Sequence, residues 1–327
     1  MDEHRSAEVA LRLLWSLWSE LGVPGPRRDH RRAILDPERL LTVTPWFARS
    51  DDRLSDLVFS WCLQHGTRLS GSRLSALVRG AHPDVRSAAE LFLAELATAG
   101  APLVRLEPLS AARPRSHRDL PLTVERPALL RLRMRALVGV GGRADLLVAL
   151  LSAPNAWVSA SSLVGEVGFA KRHVARILAE LVEGTLANSR QRGNVREFRL
   201  ANPRALSELV TLPPEAAFPP WSAVFEWMRL TCELWSLSTD RPATARVEVA
   251  RRREALLALA SELGLSRLAP AEWADEATLL AWVAENARGM ADGSAPFVGG
   301  AGVATRPVGQ PQEEEHPRHD SNVRPAD

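Results

Sequence analysis

Basic side chains are concentrated in one short stretch of the chain, residues 168–199. Seven basic and three acidic residues lie there, a local net charge of +4, whereas the whole 327-residue chain carries only +2. Guanidinium and ammonium groups donate hydrogen bonds to phosphate oxygens, and an arginine can donate two of them to the acceptors on a guanine base. The types and spacing of these residues therefore favour binding of a nucleic acid.

Candidate catalytic and metal-binding residues are few. The chain has a single lysine, Lys171, and no tyrosine, so a tyrosine general acid is excluded. The Gly-Val-Gly-Gly run at 139–142 lacks the third glycine of a dinucleotide-binding fingerprint, and no P-loop, H-E-x-x-H or G-x-S-x-G motif occurs. Cys62 and His65 are interpreted as a buried cysteine near a histidine rather than as a nucleophile and its base. We expect no enzyme activity, no cofactor and no metal site.

Apolar spacing between residues 143 and 200 predicts the elements that position the basic side chains. The predicted order is a helix, a short extended piece, a second helix with Ser159 as N-cap, a turn at Gly168, a third helix and a β-hairpin. The hairpin turn contains Gly193 and Asn194, residue types that suit a positive φ. The first helix ends at 154, the extended piece is 157–158, the third helix is 170–183, and the strands are 186–191 and 195–200.

This order of elements resembles the winged helix-turn-helix domain of MarR- and ArsR-type transcription regulators. The resemblance covers 58 residues, 143–200, and depends on the element order, the apolar register, the turn at Gly168 and the wing turn at Gly193. One position differs from the pattern. Where such regulators commonly have Ser or Thr as the cap of the recognition helix, this chain has Ala170, which forgoes about 1 kcal/mol of capping.

The resemblance implies that the third helix enters the major groove of double-stranded DNA and that the hairpin contacts the backbone or the minor groove. It also implies a homodimer on two-fold sites, with half-sites about 34 Å apart. We therefore expect sequence-specific DNA binding by a bacterial transcriptional regulator. The candidate DNA-binding residues are Lys171, Arg172, His173 and Arg176 of the third helix and Arg190, Arg192 and Arg196 of the hairpin.

The chain as a whole is predicted to be mainly α, with helical regions on both sides of the winged helix. Asp36, Asp51 and Ser70 are candidate N-caps in the first region. The C-terminal tryptophans are assigned to a helical core, with an effector pocket or a dimer interface as the alternative. The predicted plan is a helical N-terminal domain (1–100), a Pro/Arg-rich linker (101–125), a basic helix plus winged helix-turn-helix (126–203), a small Trp-rich helical C-terminal region (204–290) and a disordered tail (291–327).

Two groups of arginines outside the winged helix are open to two interpretations. Arg131, Arg133 and Arg135, in a helix over 127–138, are either ordinary exposed arginines or flanking DNA contacts. The helices between 54 and 80, which carry Arg73 and Arg79, are either a packed pair or a second, degenerate DNA-binding unit.

Other function classes are weighed against DNA binding. The absence of an eighteen-residue apolar stretch and of a signal peptide predicts a cytoplasmic protein with no membrane contact. The main alternative is a protein-interaction module, antitoxin-like or an adaptor, that docks a protein partner through the winged helix or the flanking helical domains. Binding of RNA or single strands is disfavoured, because Phe169 and Phe198 are the only aromatic residues noted near the basic ones. An enzyme is the least favoured class.

Overall fold

A computed structural model describes residues 3–26, 28–101, 103, 118–240, 242–265 and 276–294. Within these ranges the chain is mainly α, as predicted, and no helix is long and apolar enough to cross a membrane. Most of the predicted linker and residues 295–327 of the predicted tail lie outside the described residues.

The helices are α1 (Glu3–Glu20), α2 (Pro37–Phe47), α3 (Asp52–His65), α4 (Gly71–Gly80), α5 (Pro83–Thr98), α6 (Leu130–Val138), α7 (Gly142–Ser152), α8 (Ala160–Val167), α9 (Lys171–Glu183), α10 (Pro203–Leu209), α11 (Trp221–Asp240), α12 (Pro242–Arg251), α13 (Arg253–Glu262) and α14 (Glu276–Ala291). The strands are β1 (Val158–Ser159), β2 (Ala187–Arg192) and β3 (Val195–Leu200).

Side-chain caps begin three of the N-terminal helices. Asp36, Asp51 and Ser70 each accept a hydrogen bond from the backbone N–H three residues later, at 3.1, 2.9 and 3.4 Å. Each bond satisfies one of the N–H groups that have no partner within the helix. The predicted starts of α2, α3 and α4 are confirmed.

The first and last helices of the described residues share one apolar core. Helix α1 packs against both α11 and α14, and its residues join theirs in a single buried cluster. Trp221, Trp227 and Trp282 belong to this cluster, and the rings of Trp227 and Trp282 meet edge to face at 5.3 Å. These three tryptophans are core residues, the interpretation that the sequence favoured; Trp273 lies outside the described residues.

A second apolar core lies under the small antiparallel sheet, whose strand order is β1-β3-β2. It is covered by α7, α8 and α9, and Phe198 and Leu200 of β3 point into it. The element order predicted for 143–200 is confirmed, and we call residues 142–200 the hairpin unit. Gly193 takes a φ of +56°, but Asn194 does not take a positive φ, so that part of the turn prediction is wrong.

Cys62 and His65 do not form a nucleophile and base. Cys62 is fully buried in the first core, and burial raises the pKa of its thiol far above its usual range. His65 Nε2 instead lies 2.7 Å from the carbonyl oxygen of Leu120. Because a thiolate is disfavoured in this setting, Cys62 is a packing residue.

Candidate nucleic-acid interface

Helix α9 carries four of the predicted DNA-binding residues on its first two turns. It begins at Lys171, and Ala170 is its N-cap without a side-chain hydrogen bond. One side of the helix is held in the second core, so the orientation of the helix is fixed, and Lys171, Arg172 and Arg176 are exposed. The buried residues are Val174, Ile177, Leu178 and Leu181.

A small side chain lies beside the exposed arginines of α9. At about 100° per residue, Arg172, Arg176 and Ala179 fall on the side opposite the core, and we call these three residues the α9 stripe. Ala175 instead packs against the second core. Methyl side chains let a helix backbone approach another surface closely, and alanine is one of the residues that contact the methyl group of thymine. Ala179 was missed in the sequence, although its spacing from the arginines could have indicated it.

His173 lies at the edge of the α9 stripe rather than on it. The ring is half-buried, with its centroid 5.3 Å from that of Phe169, and its Nδ1 lies 3.2 Å from Nη2 of Arg176. On its other side, Nε2 would lie 3.1 Å from a Cβ atom added to Gly142. The structure therefore places His173 against the start of α7, where its ring nitrogen contacts the guanidinium of Arg176.

The three predicted hairpin arginines lie on two faces of the sheet. Side chains alternate along a strand, so Arg190 and Arg192 share the outer face with Glu197, whereas Arg196 shares the inner face with Phe198. Arg190 and Arg192 lie 2.7 and 3.7 Å from the carboxylate of Glu197. The Arg196 guanidinium lies 5.3 Å from the centroid of the Phe198 ring. The structure brings Arg190 and Arg192 together and separates them from Arg196.

Trp157 is an aromatic residue beside the basic ones that the sequence analysis missed. The guanidinium groups of Arg190 and Arg199 lie 4.5 and 4.7 Å from the centroid of its ring, which is cation–π geometry. Pairing of Val158 with Phe198 places Trp157 beside Arg199 on the outer face of the sheet. The expectation that Phe169 and Phe198 are the only nearby aromatics is therefore wrong.

Arg131 and Arg135 of α6 are buried, each only 3% exposed. They are four residues apart and thus share one face of the helix, and both contact Asp145 of α7, at 2.9 and 2.8 Å. Neither interpretation from the sequence, an exposed arginine or a flanking DNA contact, applies to them. Arg133, which is half-buried, donates to the carbonyl of Glu125 at 2.8 Å.

Arg73 of α4 is completely buried in the same group of charges. Its guanidinium donates to both carboxylate oxygens of Asp36, each at 2.6 Å, and to Glu38 at 2.9 Å. Glu38 is also bound by Arg135. Arg73 cannot contact DNA, so a second DNA-binding unit that includes it is wrong, and the packed-helix interpretation fits. We define the buried charge cluster as Asp36, Glu38, Arg73, Arg131, Arg135 and Asp145.

The charges of the cluster are matched in number, three acids to three arginines. Burial opposes the ionisation of Asp36, but the charges of Arg73 and Arg131 outweigh it and hold the pKa of the carboxyl far below its ordinary value. In the same way the pKa of Asp145 is lowered by Arg131 and Arg135 in spite of burial. Asp36 and Asp145 are therefore paired as carboxylates, which a buried position requires.

Arginines from the N-terminal helices also hold the end of α8. Arg73 donates to the carbonyl oxygens of Val167 and Glu166, at 2.8 and 3.1 Å, and Arg39 donates to those of Gly165 and Glu166. Carbonyls at a helix C-terminus lack partners within the helix and carry partial negative charge. The turn that leads into α9 is thereby fixed to the N-terminal helices.

No family model, no curated protein and no solved structure matches this chain. The function is accordingly inferred from the geometry of the hairpin unit itself.

Proposed function

We propose that the chain is a cytoplasmic bacterial transcription regulator that binds double-stranded DNA sequence-specifically. Helix α9 enters the major groove, and the β2–β3 hairpin lies on the backbone or in the minor groove. The observation that carries this proposal is the exposed N-terminal part of α9, where Lys171, Arg172 and Arg176 are accessible on a helix otherwise held in a core.

The turn before α9 supports a helix-turn-helix function. Gly168 ends α8 in the left-handed conformation, with φ of +70°, and α9 begins three residues later. In a winged helix-turn-helix, which this unit resembles, the second helix presents its N-terminal residues to base edges. Arg172 suits the paired acceptors of guanine, and Lys171 can reach the same base edge.

The hairpin supplies charge for contacts to phosphate. Arg192, beside the turn, has a side chain that is 72% exposed, and that of Arg190 is 44% exposed. Both reach beyond the apolar core, where they can approach the DNA backbone. On a two-fold site, two copies of the chain would place their α9 helices about 34 Å apart.

The test is fluorescence anisotropy of the full chain with duplexes from its own upstream region and with scrambled duplexes, over a salt series. We expect the wild type to prefer its own DNA and a triple variant, K171A/R172A/R176A, to lose that preference. Each base contact contributes about 1–3 kcal/mol of discrimination, so the loss should be at least tenfold.

A matched triple variant controls for the loss of charge. Arg32, Arg204 and Arg251 have side chains that are 66%, 89% and 75% exposed and lie outside the hairpin unit. R32A/R204A/R251A also removes three positive charges and should keep the preference of the wild type. Equal loss of preference in both triple variants would show a non-specific charge effect and contradict the assignment of α9.

A second candidate function is docking of a protein partner, as in an antitoxin-like or adaptor protein. Leu137 and Val140 favour it, because they are 56% and 47% exposed beside the turn that precedes α7. Apolar side chains that are grouped on a surface are typical of protein contacts. Weak binding without preference by the wild type and by both triple variants would favour this candidate over DNA recognition.

A further inference from the structure

A cleft of about 360 Å³ lies between α9 and the glycine-rich turn that joins α6 to α7. Its polar lining includes Arg143 of α7, Ser72 of α4, and His173, Arg176 and Glu180 of α9. Arg143 lies on the first turn of α7 and was not among the residues singled out in the sequence. Arg143 of α7 therefore extends the basic surface of α9.

A close approach between α7 and α9 brings these side chains together. Gly142, the first residue of α7, is buried, and a Cβ atom there would lie 2.7 Å from Cδ1 of Ile177. Such a distance is too short for any side chain unless the end of the Ile177 side chain shifts. The glycine thus permits the spacing at which Arg143 of α7 reaches the surface of α9.

Two guanidinium groups converge on one carboxylate at the rim of this cleft. Arg143 Nη2 donates to Glu180 Oε2 at 2.8 Å, and Arg176 Nη1 binds the other oxygen of the same carboxylate. The hydrogen bond from Arg143 lowers the pKa of Glu180, so the group is an anion. The side chains of Arg143 and Arg176 are still 52% and 60% exposed. The two arginines thus already bind one carboxylate and remain accessible to solvent.

We propose that Arg143 and Arg176 form a binding site for a phosphate of the DNA backbone, which Glu180 occupies as long as no DNA is bound. A phosphate and a carboxylate present similar oxygen acceptors to a pair of guanidinium groups. Arg143 is then a phosphate-binding residue outside the recognition helix, and Glu180 is an internal competitor that weakens binding to every sequence. This inference rests on the proposed DNA-binding function and adds a named contact to it.

The test compares Arg143→Ala and Glu180→Gln with the wild type by anisotropy, on own and scrambled duplexes across a salt series. We expect R143A to bind both duplexes more weakly, with a salt slope smaller by about 0.9, the value for one phosphate. We expect E180Q to bind both more tightly, by about threefold, because no carboxylate has to be displaced. Neither change should alter the preference between the two duplexes, since phosphate contacts carry no sequence information.

A second acidic residue that holds two arginines gives the matched controls. Glu248 of α12 lies 3.0 and 3.6 Å from Arg251 and Arg252, outside the hairpin unit. R251A and E248Q therefore change the net charge as R143A and E180Q do, and both should bind DNA as the wild type does. Thermal melts of all four variants verify that they are folded.

The outcomes separate this inference from the proposed function. If the wild type binds DNA but R143A and E180Q match R251A and E248Q, the phosphate site is wrong and the assignment of α9 stands. A wild type without affinity for DNA overturns the proposed function and this site with it. A smaller salt slope in R143A together with tighter binding by E180Q supports both.

Discussion

At the scale of single residues, arginine has two opposite roles in this protein. Of the 41 basic residues, 40 are arginine. Arg172 is exposed on α9, whereas Arg73 is completely buried and makes hydrogen bonds to two carboxylates and two carbonyls. The planar guanidinium has enough donors for either setting. Residue type alone could therefore not tell a ligand-binding arginine from a structural one.

Removal of the Arg73 guanidinium should strongly destabilise the fold. In Arg73→Met the apolar stem is kept, but Asp36 and Glu38 lose a partner and the α8 carbonyls lose a donor. Breaking a buried ion pair on one side costs about 3–5 kcal/mol of unfolding free energy. Urea denaturation followed by circular dichroism measures this loss.

The control for Arg73 is Arg204→Met. Arg204 makes an ion pair too, with Glu208, but its side chain is 89% exposed. A surface change of this kind should alter stability by no more than about 0.5 kcal/mol. Similar denaturation midpoints for the two variants would show that the buried charge cluster does not stabilise the protein as described.

At the scale of elements, local signals were predictable and distant contacts were not. The starts of α2, α3 and α4 could be predicted because a cap and its helix are adjacent in sequence. The burial of Arg135 could not, since its partner Glu38 is 97 residues away. Trp157 was missed for the same reason, because strand register brings Arg199 beside it. The hairpin unit was predictable since its elements follow one another without interruption.

The contact between α7 and α9 gives a prediction at this scale. Gly142→Ala should lower the free energy of unfolding by about 1 kcal/mol, because the new methyl group overpacks the space beside Ile177 and His173. Gly165→Ala should instead raise it by about 0.5 kcal/mol, because Gly165 is inside α8 and a Cβ atom there meets open space. Thermal or urea unfolding of both variants measures the two signs. A G142A protein as stable as G165A would contradict the close packing of α7 on α9.

At the scale of the whole molecule, the hairpin unit is tied to the rest of the chain. The second core includes Ile34 and Leu130 from outside the unit, and the buried charge cluster links α2 and α4 to α6 and α7. The C-terminal helices in turn share a core with α1. The direction in which α9 faces is therefore set by helices from both sides of the hairpin unit, which the predicted domain plan did not include.

A buried histidine joins the two ends of the described chain. His30 is 1% exposed, its Nε2 donates to the carbonyl of Met290 at 2.8 Å, and its Nδ1 lies 2.8 Å from the hydroxyl of Ser16. Burial lowers the pKa of His30, although the Met290 carbonyl and the charges of Asp29 and Asp292 act in the opposite direction. The folded protein thus holds this imidazole neutral between α1 and α14.

The pKa of His30 makes the stability of the whole chain depend on pH. Below about pH 6.5 an unfolded histidine binds a proton that folded His30 does not, so the free energy of unfolding should fall as pH decreases, by at most about 1.4 kcal/mol per pH unit. His30→Gln keeps a donor and an acceptor but cannot titrate, so the part of the slope below about pH 6.5 that is due to His30 should be lost. Urea unfolding at several pH values measures it. Equal slopes in H30Q and the wild type would mean that titration of His30 does not contribute to the pH dependence of the free energy of unfolding.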